Sequence, residues 1–323
     1  MVASRLILSF LVEIIVIGSL GWWVLGLSVP ASLALAAASI VIVRVVITLL
    51  SFVLSEIFRS PRSESMRIGV RGWLRLIYAE LCAMFRVFFV LHPLEPWINK
   101  ADPGFAQEDN TPVILVHGFF SNGGFWWEMK RFLSRNGVRS VYTINLEPPF
   151  GDINQLARQL AKRISAICEN TGKPRVILVA HSMGGLVCRA YLQRYEGDRY
   201  TDMLVTLGTP NAGTVHARLL PVPNLCQIRP GNDWLTELNR LQGAATTVPT
   251  VCIYSSHDNI IVPQDSGALI GAANKPIRGI GHLEMAFSSA IQQLVLEVLD
   301  SLDLTNLANN IIVETRVGSN TAQ

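Results

Sequence analysis

Two long apolar runs stand at the N-terminal side of the sequence. From Leu6 to Leu27 the single charged residue is Glu13, and from Ala31 to Ser55 it is Arg44. Each run exceeds the ~20 residues that a helix needs to cross a hydrocarbon core, and together they predict a transmembrane helical hairpin over residues 1–57. A cleaved signal peptide is the competing reading. Its apolar core spans only ~7–15 residues, however, and here a second span follows at once. With the turn near Val29, Glu13 and Arg44 fall at nearly equal depth in antiparallel helices of ~1.5 Å rise per residue. Intramembrane charges usually find partners, so the two are expected to face each other.

A third apolar segment, Trp73–Leu91, carries Arg75, Glu80 and Arg86. At about 100° per residue, Arg75, Ala79, Cys82 and Arg86 share one stripe. Three charges make a third span costly. A basic interfacial helix with its arginines toward lipid headgroups, followed by a linker, is expected for residues 58–110. From Thr111 the pattern changes to short β-type runs alternating with helical ones. Strands are predicted near Val113–His117, Ser140–Asn145, Arg175–His181, Met203–Leu207, Thr250–Ser255 and Pro276–Gly279. Helices are predicted over Phe125–Asn136, Ile153–Asn170, Met183–Tyr195, Asp233–Leu241, Gln264–Ile270 and Leu283–Leu302. Such alternation implies an α/β domain at 111–302 with a parallel sheet covered on both faces, and a ligand site beyond the strands' carboxyl ends. Residues 303–323 form a polar C-terminal tail.

Composition sharpens this picture only in places. Charged residues make up 16% of the 323, against roughly 25% in an average soluble domain, and the two N-terminal runs concentrate the deficit. A net charge of +3 does not point to a nucleic-acid partner. Arginines 59, 62, 67, 71 and 75 cluster just after the second run, while Gly26–Ser32 has neither lysine nor arginine. The positive-inside rule then puts both hairpin ends, and the α/β domain, on the cytoplasmic side. Five cysteines without a C-x-x-C pair suit free thiols in a reducing compartment.

The candidate chemistry sits at the strand ends. Ala180-His181-Ser182-Met183-Gly184 lies between a predicted strand and a predicted helix, the setting of a nucleophile elbow. The first position of the usual G-x-S-x-G is alanine here, one methyl larger. His117-Gly118-Phe119 follows the first sheet strand, so the backbone N–H groups of Phe119 and Met183 are the candidate oxyanion donors. His117 suits a loop-orienting role. Asp258 follows the fifth strand and His282 the sixth. An acid and a base thus come after the serine in the order this arrangement requires. No His/Cys/Asp spacing suggests a metal site.

These segments resemble the α/β-hydrolase superfamily and, within it, bacterial triacylglycerol lipases and esterases. "TLGTPNAGT" (Thr206–Thr214), "IRPGNDWLTELN", "SSHDNIIVP" and "GIGHLEM" carry the resemblance, which covers Thr111–Leu302. It implies a minimal, mostly parallel six-stranded sheet, a Ser182-Asp258-His282 triad, no cofactor, and hydrolysis of lipid-like or other apolar acyl esters at a bacterial inner membrane. Phe120, Trp126 and Leu219 are candidate pocket residues, and Asn211–Asn232 is either a short lid or a packed crossover. Phospholipase, thioesterase and acyltransferase chemistry would use the same triad. A non-catalytic membrane scaffold or a transporter subunit is the competing class, and membrane lipids are the expected partner beside substrate. Oligomeric state is not legible.

Overall fold

The structure is a computed structural model that describes residues 2–99, 102, 111–245 and 248–302; most of the linker segment 101–110 and the tail 303–323 lie outside them. Helices α1 (Val2–Trp23) and α2 (Val29–Ile57) form an antiparallel hairpin, each long and apolar enough to cross a membrane. Arg44 donates to Glu13 through both guanidinium ends, Nη1 to Oε2 and Nη2 to Oε1, each at 2.6 Å. Its guanidinium also lies 5.2 Å from the Phe10 ring centroid. The expected pair is therefore present.

Next come α3 (Val70–Phe85), a π-helical segment (Arg86–Leu91) and α4 (His92–Ile98). Two of the arm's arginines are engaged by the α/β domain while staying partly exposed. Arg75 donates to the Gly279 carbonyl at 2.7 Å and pairs with Glu284 at 2.9 Å, while Arg86 pairs with Glu128 at 2.8 Å. Beside Arg71 and Arg75 the arm also exposes apolar side chains: Val70, Leu74 and Tyr78 at four-residue spacing, with Leu94 and Trp97.

The α/β domain contains β1 (Val113–Val116), α5 (Trp127–Arg135), β2 (Val141–Ile144), α6 (Ile153–Thr171), β3 (Val176–His181), α7 (Met183–Arg194) and β4 (Thr201–Leu207). After these come α8 (Pro223–Gln227), α9 (Asp233–Ala245), β5 (Thr250–Ser255), β6 (Ala273–Ile277) and α10 over residues 289–302. The six strands are all parallel, in the order β2-β1-β3-β4-β5-β6. Alternation along β1 divides the core in two, as the two-residue period of a strand requires. Ile114 and Val116 pack with α6 and α7, and Val113 and Leu115 pack with α5 and α10.

Three predicted elements differ: the helix expected over Leu283–Leu302 is a 3₁₀ turn, Leu283–Ala286, followed by α10. The sixth strand is Ala273–Ile277 rather than Pro276–Gly279. It is an exposed edge strand, so it lacks a buried face that would mark it in sequence, and its Pro276 is tolerated at an edge. The predicted helix Gln264–Ile270 is only a 3₁₀ turn, Gln264–Gly267. There the Gln264 side chain is committed to the Asp258 carbonyl and the Ser60 amide.

The hairpin geometry makes a double-mutant prediction. Arg44→Ala should lower membrane abundance several-fold, because Glu13 loses its counter-charge and keeps only the Ser9 hydroxyl as partner. Adding Glu13→Ala should restore much of it. Quantitative immunoblots of membrane fractions read the coupling, and a double variant as poor as the sum of the singles would exclude it.

Candidate active site

Ser182 stands at the junction of β3, buried along its whole length, and α7. Its backbone has φ +55° and ψ −131°, a sparsely populated conformation for a residue with a side chain and one that clusters at functional sites. The turn is tight. A Cβ on Gly118 would stand 2.8 Å from the Ser182 Cβ and 3.4 Å from its Oγ, so only glycine fits opposite the hydroxyl. Backbone and hydroxyl groups hold the elbow: Ser182 N–H donates to the Leu207 carbonyl, and Thr209 Oγ1 donates to the Ser182 carbonyl, both at 2.9 Å. Ala180 is fully buried in register with Val116 and Thr206, so its methyl group is accommodated.

His282 Nδ1 lies 2.9 Å from Asp258 Oδ2, with both side chains buried. The other oxygen, Asp258 Oδ1, accepts from the Ile260 and Ile261 amides at 2.8 Å each. That fixes which oxygen faces the imidazole. Burial opposes a charged His282, yet the charge and hydrogen bond of Asp258, together with Glu80, raise its pKa above the ordinary histidine value. Ser182, His282, Gly118, Phe119 and Phe120 all line one cavity of about 690 Å³.

The loop after β1 is turned by Phe120, whose φ of +47° is left-handed. His117 sets its start. Burial lowers the His117 pKa to about 4, which leaves a neutral ring with Nδ1 2.9 Å from the Gly118 carbonyl and Nε2 accepting from Leu146 N–H at 3.1 Å. The ring thus orients the loop. Asn122 caps the following turn by accepting from Gly124 N–H, and its amide donates to the His92 carbonyl of α4.

Of the three candidate pocket residues, only Phe120 lines the cavity. Trp126 is fully buried in the core against Phe125 and His181. Leu219 is exposed and outside the cavity. Its segment is tied at both ends, by Thr214 to the Ile228 and Ile260 carbonyls and by Asn224 to the Pro149 carbonyl, with residues 218–221 exposed between them.

Three contributors were not foreseen. Glu80 on α3 is almost wholly buried and accepts from Leu283 N–H and Glu284 N–H at 2.9 Å each, directly after His282. A Cβ on Gly281 would come within 2.3 Å of its Oε2, so that glycine admits the carboxylate. Asn259 accepts from His282 N–H at 3.0 Å and donates to Ser51 Oγ on α2 at 2.8 Å. His181 lies against His282, with ring centroids 4.5 Å apart and the planes tilted by 46°, and donates Nε2–H to the His282 carbonyl. The sequence signal for Glu80 was its isolation as an acid off the polar stripe of an apolar helix. Among the described residues no group of three or more His, Cys, Asp or Glu side chains is arranged to hold a metal ion.

Residues 111–225 match the family model described as alpha/beta hydrolase fold. A lysosomal thioesterase, PPT2-B of Xenopus laevis, is 28% identical over 36% of this chain and 44% of its own length. Triacylglycerol lipase 2 of Saccharomyces cerevisiae is 29% identical over 49% of this chain and 45% of its own length. The chain therefore spans less than half the length of these relatives. Among solved structures, mature Bacillus licheniformis lipase BlEst2 superimposes with a TM-score of 0.53 at 17% identity, covering 58% of this chain and 91% of that one.

Glu80 makes a stability prediction. Burial pushes its carboxyl up to about 7, against the opposing pull of its two amide donors. Between about 4.5 and 7 the folded protein therefore keeps a proton that the unfolded chain releases. The associated stability is complete below about 4.5 and is lost as pH rises toward 7, on the order of 3 kcal/mol in all. Glu80→Gln should flatten that part of a Tm-against-pH curve in detergent, and parallel curves for the two proteins would refute the assignment.

Proposed function

The chain carries an α/β-hydrolase domain, and from that premise we propose that it is a membrane-anchored serine hydrolase of apolar carboxylic esters. The observation that carries the proposal is the strained Ser182 elbow sharing one cavity with the His282–Asp258 pair. Ser182 Oγ attacks the ester carbonyl carbon while His282 Nε2 takes the hydroxyl proton. Asp258 keeps the other ring nitrogen as the N–H donor and stabilises the imidazolium that forms. Backbone N–H groups of Phe119 and Met183 receive the negative charge on the carbonyl oxygen. His282 then returns the proton to the departing alcohol. A water molecule, deprotonated by His282, releases the acid from Ser182.

The two apolar helices support the anchor, and the arginines following α2 support a cytoplasmic α/β domain. The lipase relatives favour a lipid ester, and the thioesterase relative keeps an acyl thioester as the second reading; the same acyl-enzyme serves both. Phospholipase and acyltransferase activity would differ only in the leaving group or in the acceptor alcohol.

Ser182→Ala should abolish p-nitrophenyl butyrate hydrolysis while leaving the protein folded, since loss of a triad member typically leaves only ~10³–10⁴-fold catalysis over water. Activity within a few-fold of wild type would exclude Ser182 as nucleophile. Because His282 must be neutral to accept the proton and its pKa is raised, kcat/KM should fall on the acid side with a midpoint above the ordinary ~6.5. For topology, a reporter fused after Gln323 should show cytoplasmic behaviour, and a periplasmic signal would reverse the assigned side.

A further inference from the structure

One wall of the catalytic cavity comes from the hairpin rather than from the hydrolase domain. Leu6 and Phe10 of α1 and Val43 and Ile47 of α2 line the same space as Ser182 and His282. On their outward faces these helices expose Ile7, Leu8, Leu11, Ile42, Val46 and Leu50. Val43 and Ile47 of that wall are themselves exposed, so the cavity borders the same apolar surface. Soluble proteins rarely leave exposed apolar patches larger than a few hundred Å², and larger ones mark membrane or protein contacts. The exposed stripe of Val70, Leu74 and Tyr78 on α3 adds apolar surface beside it.

Depth follows from helix length. Trp22 and Trp23 are exposed at the hairpin's turn end, the position of an interfacial aromatic anchor. From Val29 to Arg44 is 15 residues, or about 22 Å of helix at ~1.5 Å per residue. A hydrocarbon core of ~30 Å then leaves the Glu13–Arg44 level about 8 Å inside the opposite edge. Glu13 and Arg44 both line the cavity. The cavity thus lies at the depth of the acyl chains of the nearer leaflet, while the sheet lies beyond it.

We propose that the site takes long-chain acyl esters of bilayer lipids directly from that leaflet. The chain lies along Leu6, Phe10, Val43 and Ile47, and the ester carbonyl reaches Ser182. The proposal rests on the serine-hydrolase reading and adds to it the substrate class and the side of entry. An amphiphile drawn from water would have no need of a cavity wall whose outer face is itself lipid-facing. An acyl chain drawn from the bilayer exchanges one hydrocarbon environment for another and avoids exposure to water, at ~0.8 kcal/mol for each CH₂ group.

The test uses the full chain in phosphatidylcholine vesicles and two fluorophosphonates, one with a two-carbon chain and one with a tetradecyl chain ending in a diazirine. Both should phosphonylate Ser182, the long one at least tenfold faster, at a rate set by its mole fraction in the bilayer. Irradiation after capture should link the diazirine carbon to Leu6, Phe10, Val43 or Ile47, located by mass spectrometry. Ile47→Trp, which narrows the wall, should cut the long-over-short rate ratio at least fivefold. Capture followed by cross-links only to the α/β domain would overturn the proposal. So would a capture rate that follows bulk probe concentration at constant mole fraction, or a ratio unchanged in Ile47→Trp. Failure of both probes to label a Ser182 that is present and folded would instead overturn the serine-hydrolase reading itself.

Discussion

A side chain held at φ +55° is the constraint to which the surrounding structure answers. Such backbone costs of order 1–3 kcal/mol and persists only where its environment over-determines it. Here β3 supplies a fully buried strand on one side and α7 a buried helix on the other. Gly118 leaves room opposite the hydroxyl, and Thr209 satisfies the turn's carbonyl. The hydroxyl is thereby fixed at the carboxyl end of the central strand, where the loops after β1, β5 and β6 converge on it.

Those loops are steadied from outside the α/β domain. Glu80 binds the two amides after His282, His92 lies within hydrogen-bond distance of Ser121, and the His92 carbonyl receives Asn122. Asn259 joins the His282 amide to Ser51 of the hairpin. Each of these groups would cost free energy if buried without its partner. The domain, the arm and the hairpin are consequently interdependent: separating them would strand polar groups beside the histidine. The arm's arginines serve the same end, since Arg75 holds Glu284, whose other oxygen accepts from the Gly281 amide.

The hydrolase fold was largely legible because its signals are local. Buried strands are continuous apolar runs, and the serine, acid and histidine each sit within a few residues of a strand end. The edge strand Ala273–Ile277 was displaced in the sequence reading because an exposed strand has no apolar pattern to follow. Trp126 and Leu219 were misassigned for a related reason: aromatic or aliphatic character does not reveal whether a residue faces core, cavity or solvent. The arm's contacts were illegible, since Glu80 meets residues more than 200 positions away. What the sequence did carry was an anomaly, an acid in an apolar helix. The Glu13–Arg44 pair was legible because two charges in otherwise apolar runs leave few alternatives.

That pair also bears on how the cavity keeps its shape. Buried ion pairs are weak evidence for stability, and fixing register is their best-attested use. Two helices of largely apolar sequence have little else to prevent sliding past one another. A slip of one turn, about 5.4 Å, would move Ile47 off the cavity wall and carry Ser51 away from Asn259. Bidentate geometry between Glu13 and Arg44, at 2.6 Å on both sides, permits one alignment and penalises the others by leaving two charges unpaired among apolar side chains. With α2 tied to the His282 amide through Asn259, the alignment of the hairpin is also the alignment of the cavity wall with His282. A charge pair far along the chain from Ser182 thus helps to set the space in front of it.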